Sequence, residues 1–378
     1  MREASSWRRV FARPTESAES VESFALVIGT IAFVVGIVVA TPLFWGRDLA
    51  ISGDGSLGEF AALAGALVAG ASFVVSRVLV RRDLARGTDP FEVPGARLHW
   101  FDIVALGVAN AVIALLVWLG LANILERSFI GAVVFTLPAI ALAGVALALS
   151  AYVGFLSGAN LTPSLLSLVL AVFLVVGVIA SMLSASDPLW WQKNLSALGM
   201  TDDVSAFAFN LTLVIAGVIV TTIARYGTTS LPVETAVDQR RRRTVRVLLV
   251  VIGIFLACVG IFHVDDFFIV HNSVATGMAV AFAVLVFALA RLVPPMPKAF
   301  VVLGYVYVAV IVVLGVFFAI GYYNLTAVEL VAAVLIFSWI IVFLRNVGAI
   351  RQRDAGRAAG AGDDDADVAA GASATAGA

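Results

Sequence analysis

The sequence predicts an all-α, polytopic integral membrane protein with ten transmembrane helices and both termini cytoplasmic. Three observations carry that reading: the composition, the number of long apolar runs, and the side of those runs on which the basic residues fall. Of 378 residues 61% are hydrophobic and 13% charged, and the mean hydropathy is +1.04, whereas a soluble domain carries about 25% charged residues. A hydrocarbon core takes roughly 20 apolar residues per helix. The chain offers ten such runs, near 24–44, 57–79, 101–121, 129–156, 164–183, 204–223, 245–262, 267–291, 299–320 and 326–344.

The polar stretch 1–23 lacks a short apolar core followed by a small-residue cleavage site, so the first run is expected to remain as a span. In the second run Ala62, Ala66 and Gly70 recur every four residues, on one helical face that allows close backbone approach. The fourth run is long and contains Pro138, where the missing backbone donor predicts a tilt or kink. Six further runs fill 164–346. Between two of them, "DQRRRRTVR" (238–246) reads as an inner loop that fixes topology. Its Arg240, Arg241, Arg242, Arg243 and Arg246 can also attract anionic headgroups at roughly 1 kcal/mol each. The tail is rich in Ala, Gly and Asp and is expected to be disordered. The chain thus divides into a cytoplasmic polar N-terminus (1–23), a four-span region (24–156), a six-span domain (164–346) and an acidic tail (347–378). The single cysteine, Cys258, excludes an intramolecular disulfide. Twenty-two Arg against two Lys fits a high-GC or salt-adapted prokaryote.

Basic loops are retained on the cytoplasmic side. With ten spans, 21 of the 24 basic residues fall on the side of both termini, and only Arg47, Arg127 and Lys193 fall on the other. Miscounting one central span would destroy that skew, so it supports the helix count together with a cytoplasmic placement of both ends, as in a plasma-membrane protein. The outer side carries 10 acids against 3 basic residues and should attract cations.

Two polar stretches share that outer face: "SASDPLWWQKNLSALGMTDDVSAFAFN" (184–210) and "GIFHVDDFFIVHNS" (260–273). Together they offer a binding pocket of Asp187, Lys193, Asn194, Ser196, Gly199, Asn210, His263, Asp265, Asp266 and His271. The bland alternative is a capped, wet turn: Gly199 ends a short helix in a left-handed conformation, and Thr201, Asp202 and Asp203 cap the sixth span. Trp190 and Trp191 suit the aromatic belt, and Asn210, inside its helix, needs a hydrogen-bond partner there. As a metal centre the region is thin. Zinc takes three or four ligands, and on one continuous helix His263 and His271 would lie about 12 Å apart. A turn at Val264–Asp266 brings the two together, which permits a shared ion without demanding one; no cofactor is assigned. A Ser-His-Asp arrangement can be composed from Ser196, His271 and Asp187 or Asp266, without the glycine-flanked setting that makes such a nucleophile specific.

No phosphate-binding loop or dinucleotide fingerprint is present, and nucleic acid is not an expected partner; membrane lipids are. Glu59, Asp102 and Glu329 all lie near helix ends, which disfavours proton-coupled transport through the midplane. Lipid-headgroup binding or remodelling at the outer pocket is the leading reading, with secondary transport of a small solute and an accessory structural role as alternatives.

"NLSALG" (194–199), Phe209-Asn210, Gly260-Ile261-Phe262 and His271 with Ala275 together resemble the membrane family called domain of unknown function 998. More distantly they resemble Frag/DRAM-type membrane proteins. The likeness covers about 164–346 and implies a six-span unit with an outer pocket at Ser196, Gly199, Asn210 and His271. The sequence departs from the family pattern at Ala197, where an acid is expected, and at His263, where a proline is.

The charge skew makes a direct prediction. A reporter fused after Arg353 should remain cytoplasmic, and in a Cys258→Ser background single cysteines at Lys193 and Asp265 should react with an impermeant thiol reagent added outside. Labelling at Asp265 only after the membrane is opened would show the orientation or the span count to be wrong.

Overall fold

A chain in hydrocarbon must satisfy its backbone polar groups within each segment, which leaves the helix as the form available to every apolar run in this sequence. The computed structural model describes residues 14–15, 17–86, 99–200, 203–229, 231, 233, 235–294, 296–347 and 349. Ten of its helices are long and apolar enough to cross a membrane. They are α1 Ala18–Phe44, α2 Leu57–Arg86, α3 Trp100–Ser128, α4 Thr136–Ala159 and α5 Pro163–Ser184, then α6 Val204–Thr228, α7 Ala236–Ile261, α8 Phe268–Leu292, α9 Lys298–Ala319 and α10 Leu325–Val347. Between α5 and α6 lie two short 3-10 turns, Trp190–Gln192 and Leu195–Gly199. No strand occurs among the described residues, and one isolated antiparallel bridge joins Leu49 to Val134. The acidic tail expected to be disordered lies outside the described residues.

Several helices outrun the apolar stretches that announce them, because caps and long cationic side chains carry them into the headgroup zone. α1 begins at Ala18, inside the stretch read as polar N-terminus, where the Ser17 hydroxyl accepts from the Ser20 amide at 3.1 Å. Residues 238–246, read as a loop, instead form early turns of α7. Thr235 caps that helix and accepts from the Asp238 amide, while the Asp238 carboxylate accepts from the Thr235 amide, a reciprocal capping box. Pro138 also departs from expectation. The long fourth run splits, residues before Thr136 turn off to form the bridge at Val134, and Pro138 sits in the first turn of α4. Amide donors there have no partner within the helix, so proline costs no hydrogen bond and causes no kink at that point.

The outward surface is apolar: Val38, Leu67, Leu137 and Phe287 are all exposed, as lipid contact requires. Inside, α1 packs on α4, α2 on both α3 and α4, and α5, α6, α7 and α8 pack in succession. α3 reaches across to α5 and α6. α6 is the most enclosed helix, with 67% of its central window buried. Trp339 of α10 fills the far side of the same core, stacked on Phe300 and Phe343 with its edge toward Phe282.

Small residues set the helix spacings. A Cβ on Gly154 of α4 would lie 2.4 Å from the Ala69 carbonyl oxygen of α2, and one on Gly70 would lie 3.1 Å from Gly107 of α3. At the α6–α7 crossing, a Cβ on Gly217 would stand 2.4 Å from the Gly253 carbonyl oxygen, and one on Gly253 would stand 2.7 Å from that of Gly217. Backbone meets backbone there, so neither helix can give way cheaply. Gly217→Ala should therefore destabilise the purified protein by about 1–3 kcal/mol. Gly120→Ala, with nothing within 4 Å of its added methyl, should be neutral or gain a few tenths through helix propensity. Thermal unfolding in detergent compares the two.

Candidate functional site

The polar site assembles at the arginine-poor end of the bundle, from the α5–α6 connection, the α7–α8 turn and the start of α10. Phe262 ends α7 and donates its amide to Cys258; after a tight turn, α8 begins at Phe268. That turn sets His271 in the first turn of α8, where its Nδ1 lies 2.7 Å from the Phe262 carbonyl oxygen and its Nε2 lies 3.0 Å from Ser196 Oγ. A carbonyl oxygen only accepts, so Nδ1 carries the hydrogen. The neutral ring then presents Nε2 as an acceptor, and Ser196 donates its hydroxyl hydrogen to it. Both side chains are buried, Ser196 at 9% and His271 at 4% exposure. This is a serine paired with a base of fixed tautomer, and the group that fixes the tautomer is a main-chain carbonyl.

Neither carboxylate suggested for that orienting role fills it. Asp187 is engaged within its own loop, accepting from the Leu189 amide at 2.9 Å and the Lys193 ammonium at 3.1 Å. These two contacts hold its carboxyl below the usual range. The tie is therefore intact above about pH 4 and is lost as pH falls through the lowered value. Asp266 and Asp265 are exposed beside His263, and the three offer ligand atoms within 4.8 Å of one another.

His263 is committed elsewhere. Asn210 Nδ2 lies 3.0 Å from the Gly199 carbonyl oxygen and 3.0 Å from His263 Nε2. The amide donates to both, so His263 Nε2 accepts and the ring hydrogen sits on Nδ1. Both nitrogens of His271 are hydrogen-bonded and only Nε2 of His263 is, so the group whose ligand atoms gather is His263 with Asp265 and Asp266, without His271. Gly199 is required for another reason than the one expected: it has no positive φ. A Cβ there would stand 2.4 Å from Asn210 Oδ1, so the residue is glycine to admit the Asn210 amide. Asp203 caps α6 through the Ala206 amide at 2.9 Å and accepts from the Ser186 hydroxyl. Thr201 and Asp202, assigned to the same cap, lie outside the described residues. Trp191 is exposed and Trp190 packs on the core edge.

Glu329 is the participant that sequence reasoning missed. It sits in the first turns of α10, and its Oε2 accepts from the Leu195 amide at 2.6 Å; the Ser196 amide also donates to the carboxylate. Asn324 adds a second tie from the α9–α10 loop, donating to the Trp191 carbonyl at 3.0 Å. Two atoms near the Glu329 tie in sequence, Asn194 Oδ1 and Thr326 Oγ1, are buried without partners. Position near a helix end was the only available signal for Glu329, and it spoke only against a role at the membrane midplane. A crevice beside the site, lined by Ala185, Asp187, Trp190, Ala197, Leu198 and Ser205, has about 10 Å³ of room, enough for roughly one water.

Glu329→Ala leaves two amides facing a partly buried space and should cost about 1–3 kcal/mol, whereas Glu329→Gln keeps an acceptor oxygen and should cost less. Proteolytic sensitivity of the 184–203 segment and the unfolding temperature should rank the three proteins in that order.

No curated protein and no solved structure matches the chain. The profile of the family described as "Protein of unknown function (DUF998)" matches residues 167–346, a match that does not extend the likeness to Frag/DRAM-type proteins. Ser196, Asn210, His263, His271 and Glu329 all fall inside this segment, and it is this six-span segment, just under half of the chain, that matches the DUF998 membrane family.

Proposed function

We propose that the arginine-poor end faces outward from the plasma membrane and that the Ser196–His271 pair remodels ester-linked groups of lipid headgroups there. The observation that carries this reading is the 3.0 Å contact from Ser196 Oγ to His271 Nε2, with Nδ1 held by the Phe262 carbonyl. A hydroxyl becomes a competent nucleophile when a neutral imidazole stands ready to take its proton. In the reaction Ser196 Oγ bonds to the ester carbonyl carbon while its proton passes to Nε2. The departing alcohol oxygen takes that proton as its bond to carbon breaks. Water then attacks the acyl-serine, giving one proton to His271, which returns it to Ser196 Oγ as the acid leaves. Binding and chemistry both favour lipid over a water-soluble substrate, since the pair sits where the apolar spans end.

The crevice is too small for a headgroup as it stands. Entry requires the Trp190–Gly199 segment to lift, and its ties to α10 and the preceding loop are Glu329 and Asn324. That need for movement separates the reading from simple helix capping, in which the segment stays closed.

A fluorophosphonate probe presented to membranes containing the protein should label the wild type and fail on Ser196→Ala. His271→Gln keeps a hydrogen-bonding side chain but removes the base, and should slow labelling by about 100-fold or more with unchanged expression. Equal labelling of Ser196→Ala, or none of the wild type, would reduce the pair to a structural hydrogen bond.

A further inference from the structure

At the opposite, arginine-rich end, three guanidinium groups gather where the end of α6 meets the first turns of α7, and one of them is paired with a carboxylate. Arg225, in the last turn of α6, pairs with Asp102 near the start of α3; Asp102 is buried, and Arg225 keeps 44% of its side-chain surface exposed. Arg246 of α7 lies half-buried against the end of α6, and its Nε donates to Thr228 Oγ1 at 2.9 Å. Thr228 is a neutral partner and passes its own hydrogen to the Ala224 carbonyl. Arg246 feels the repulsion of both Arg242 and Arg225. Arg242 and Arg246 stand four residues apart on α7 and so share a face.

Carbonyls at the C-terminal end of α6 favour one nearby cation, but they do not account for three. Counting Asp102, the cluster carries a net charge of +2 and turns its remaining N–H groups toward no carboxylate among the described residues. Like charges held this close in a partly desolvated setting need a compensating anion. The other arginines of the same helix differ. Arg241 is paired with Asp238 at 3.3 Å, and Arg240 and Arg243 are exposed.

We propose that Arg242, Arg246 and Arg225 form a phosphate-binding cradle, with Thr228 orienting Arg246 and Asp102 orienting Arg225. Guanidinium forks match phosphate oxygens in pairs, which a lysine at the same place would not. The cluster lies where the α7 apolar run gives way to its charged first turns, a boundary that suits the phosphate of a phospholipid. The proposal is independent of the Ser196 site.

Purified full-length protein in neutral detergent is titrated with short-chain phosphatidic acid, short-chain phosphatidylcholine and inorganic phosphate, read by thermal stabilisation. Phosphatidic acid should bind saturably, and the double variant Arg242→Gln/Arg246→Gln should weaken it by about tenfold or more, roughly the loss of one charge-assisted contact. Arg240→Gln/Arg243→Gln removes the same charge from exposed positions and should leave affinity within about twofold. If the first double variant folds poorly, Arg246→Lys serves instead: it keeps the charge, loses the fork and should still weaken binding. Inorganic phosphate binding as tightly as the lipid assigns the cradle to free phosphate, and binding of the lipid alone assigns it to a headgroup; both support it. Equal losses in the two double variants, or no saturable binding of either phosphate compound, would overturn it.

Discussion

The close approach of α6 to α7 is the constraint on which the family-like half depends. At Gly217 and Gly253 the two backbones touch, which fixes distance and register together, because a slide along either helix would drive a side chain into a carbonyl. The same contact line continues toward the polar end. A Cβ on Gly260 would stand 2.7 Å from the Asn210 carbonyl, and Gly199 lies directly against the Asn210 side chain. α6 is thus ringed by glycines at the positions where neighbours must come near. Once that register is set, the end of α7 and the start of α8 have nowhere else to lie, and the two histidines follow. Dispersion and close packing supply this order, since lipid tails are as apolar as leucine and give little hydrophobic drive between helices.

Main-chain groups then do most of the positioning at the polar site. The Phe262 carbonyl sets the His271 tautomer, the Gly199 carbonyl sets the Asn210 amide, and the amides of Leu195 and Ser196 receive Glu329. Side chains from three elements are cross-referenced through backbone atoms whose own places are fixed by helix ends. A low local dielectric strengthens each of these bonds and penalises any left unmade. The arrangement is therefore cooperative: Asn210 serves two acceptors at once, and losing it disturbs a loop and a histidine together.

Much of this was legible in residue type. Ten apolar runs and the arginine skew announced ten helices; Asn210 stood out because an amide inside a membrane helix needs a partner, and Ser196 and His271 because they fall in two polar stretches on one face that carry the family resemblance. What could not be read was of another kind. A backbone carbonyl has no letter in a sequence, so the group that orients His271 was sought among carboxylates. Gly199 carried the right letter for the wrong reason, its role being close approach where a left-handed turn was expected. Pro138 read as a kink because the end of the apolar run did not reveal that the helix begins only at Thr136. Hydropathy reports where a helix is greasy and says little about where its hydrogen bonds start, which is also why the first turns of α7 passed for a loop.

The histidine's orienting partner has a consequence for how such a site can be inherited. No substitution deletes a main-chain oxygen, so a scan that replaces each residue in turn would register Ser196 and His271 and pass over position 262 except for its packing. The third member of the arrangement is stored as a length, the handful of residues between the end of α7 and the start of α8. An insertion or deletion in that turn would erase it while leaving every recognisable letter of the site in place.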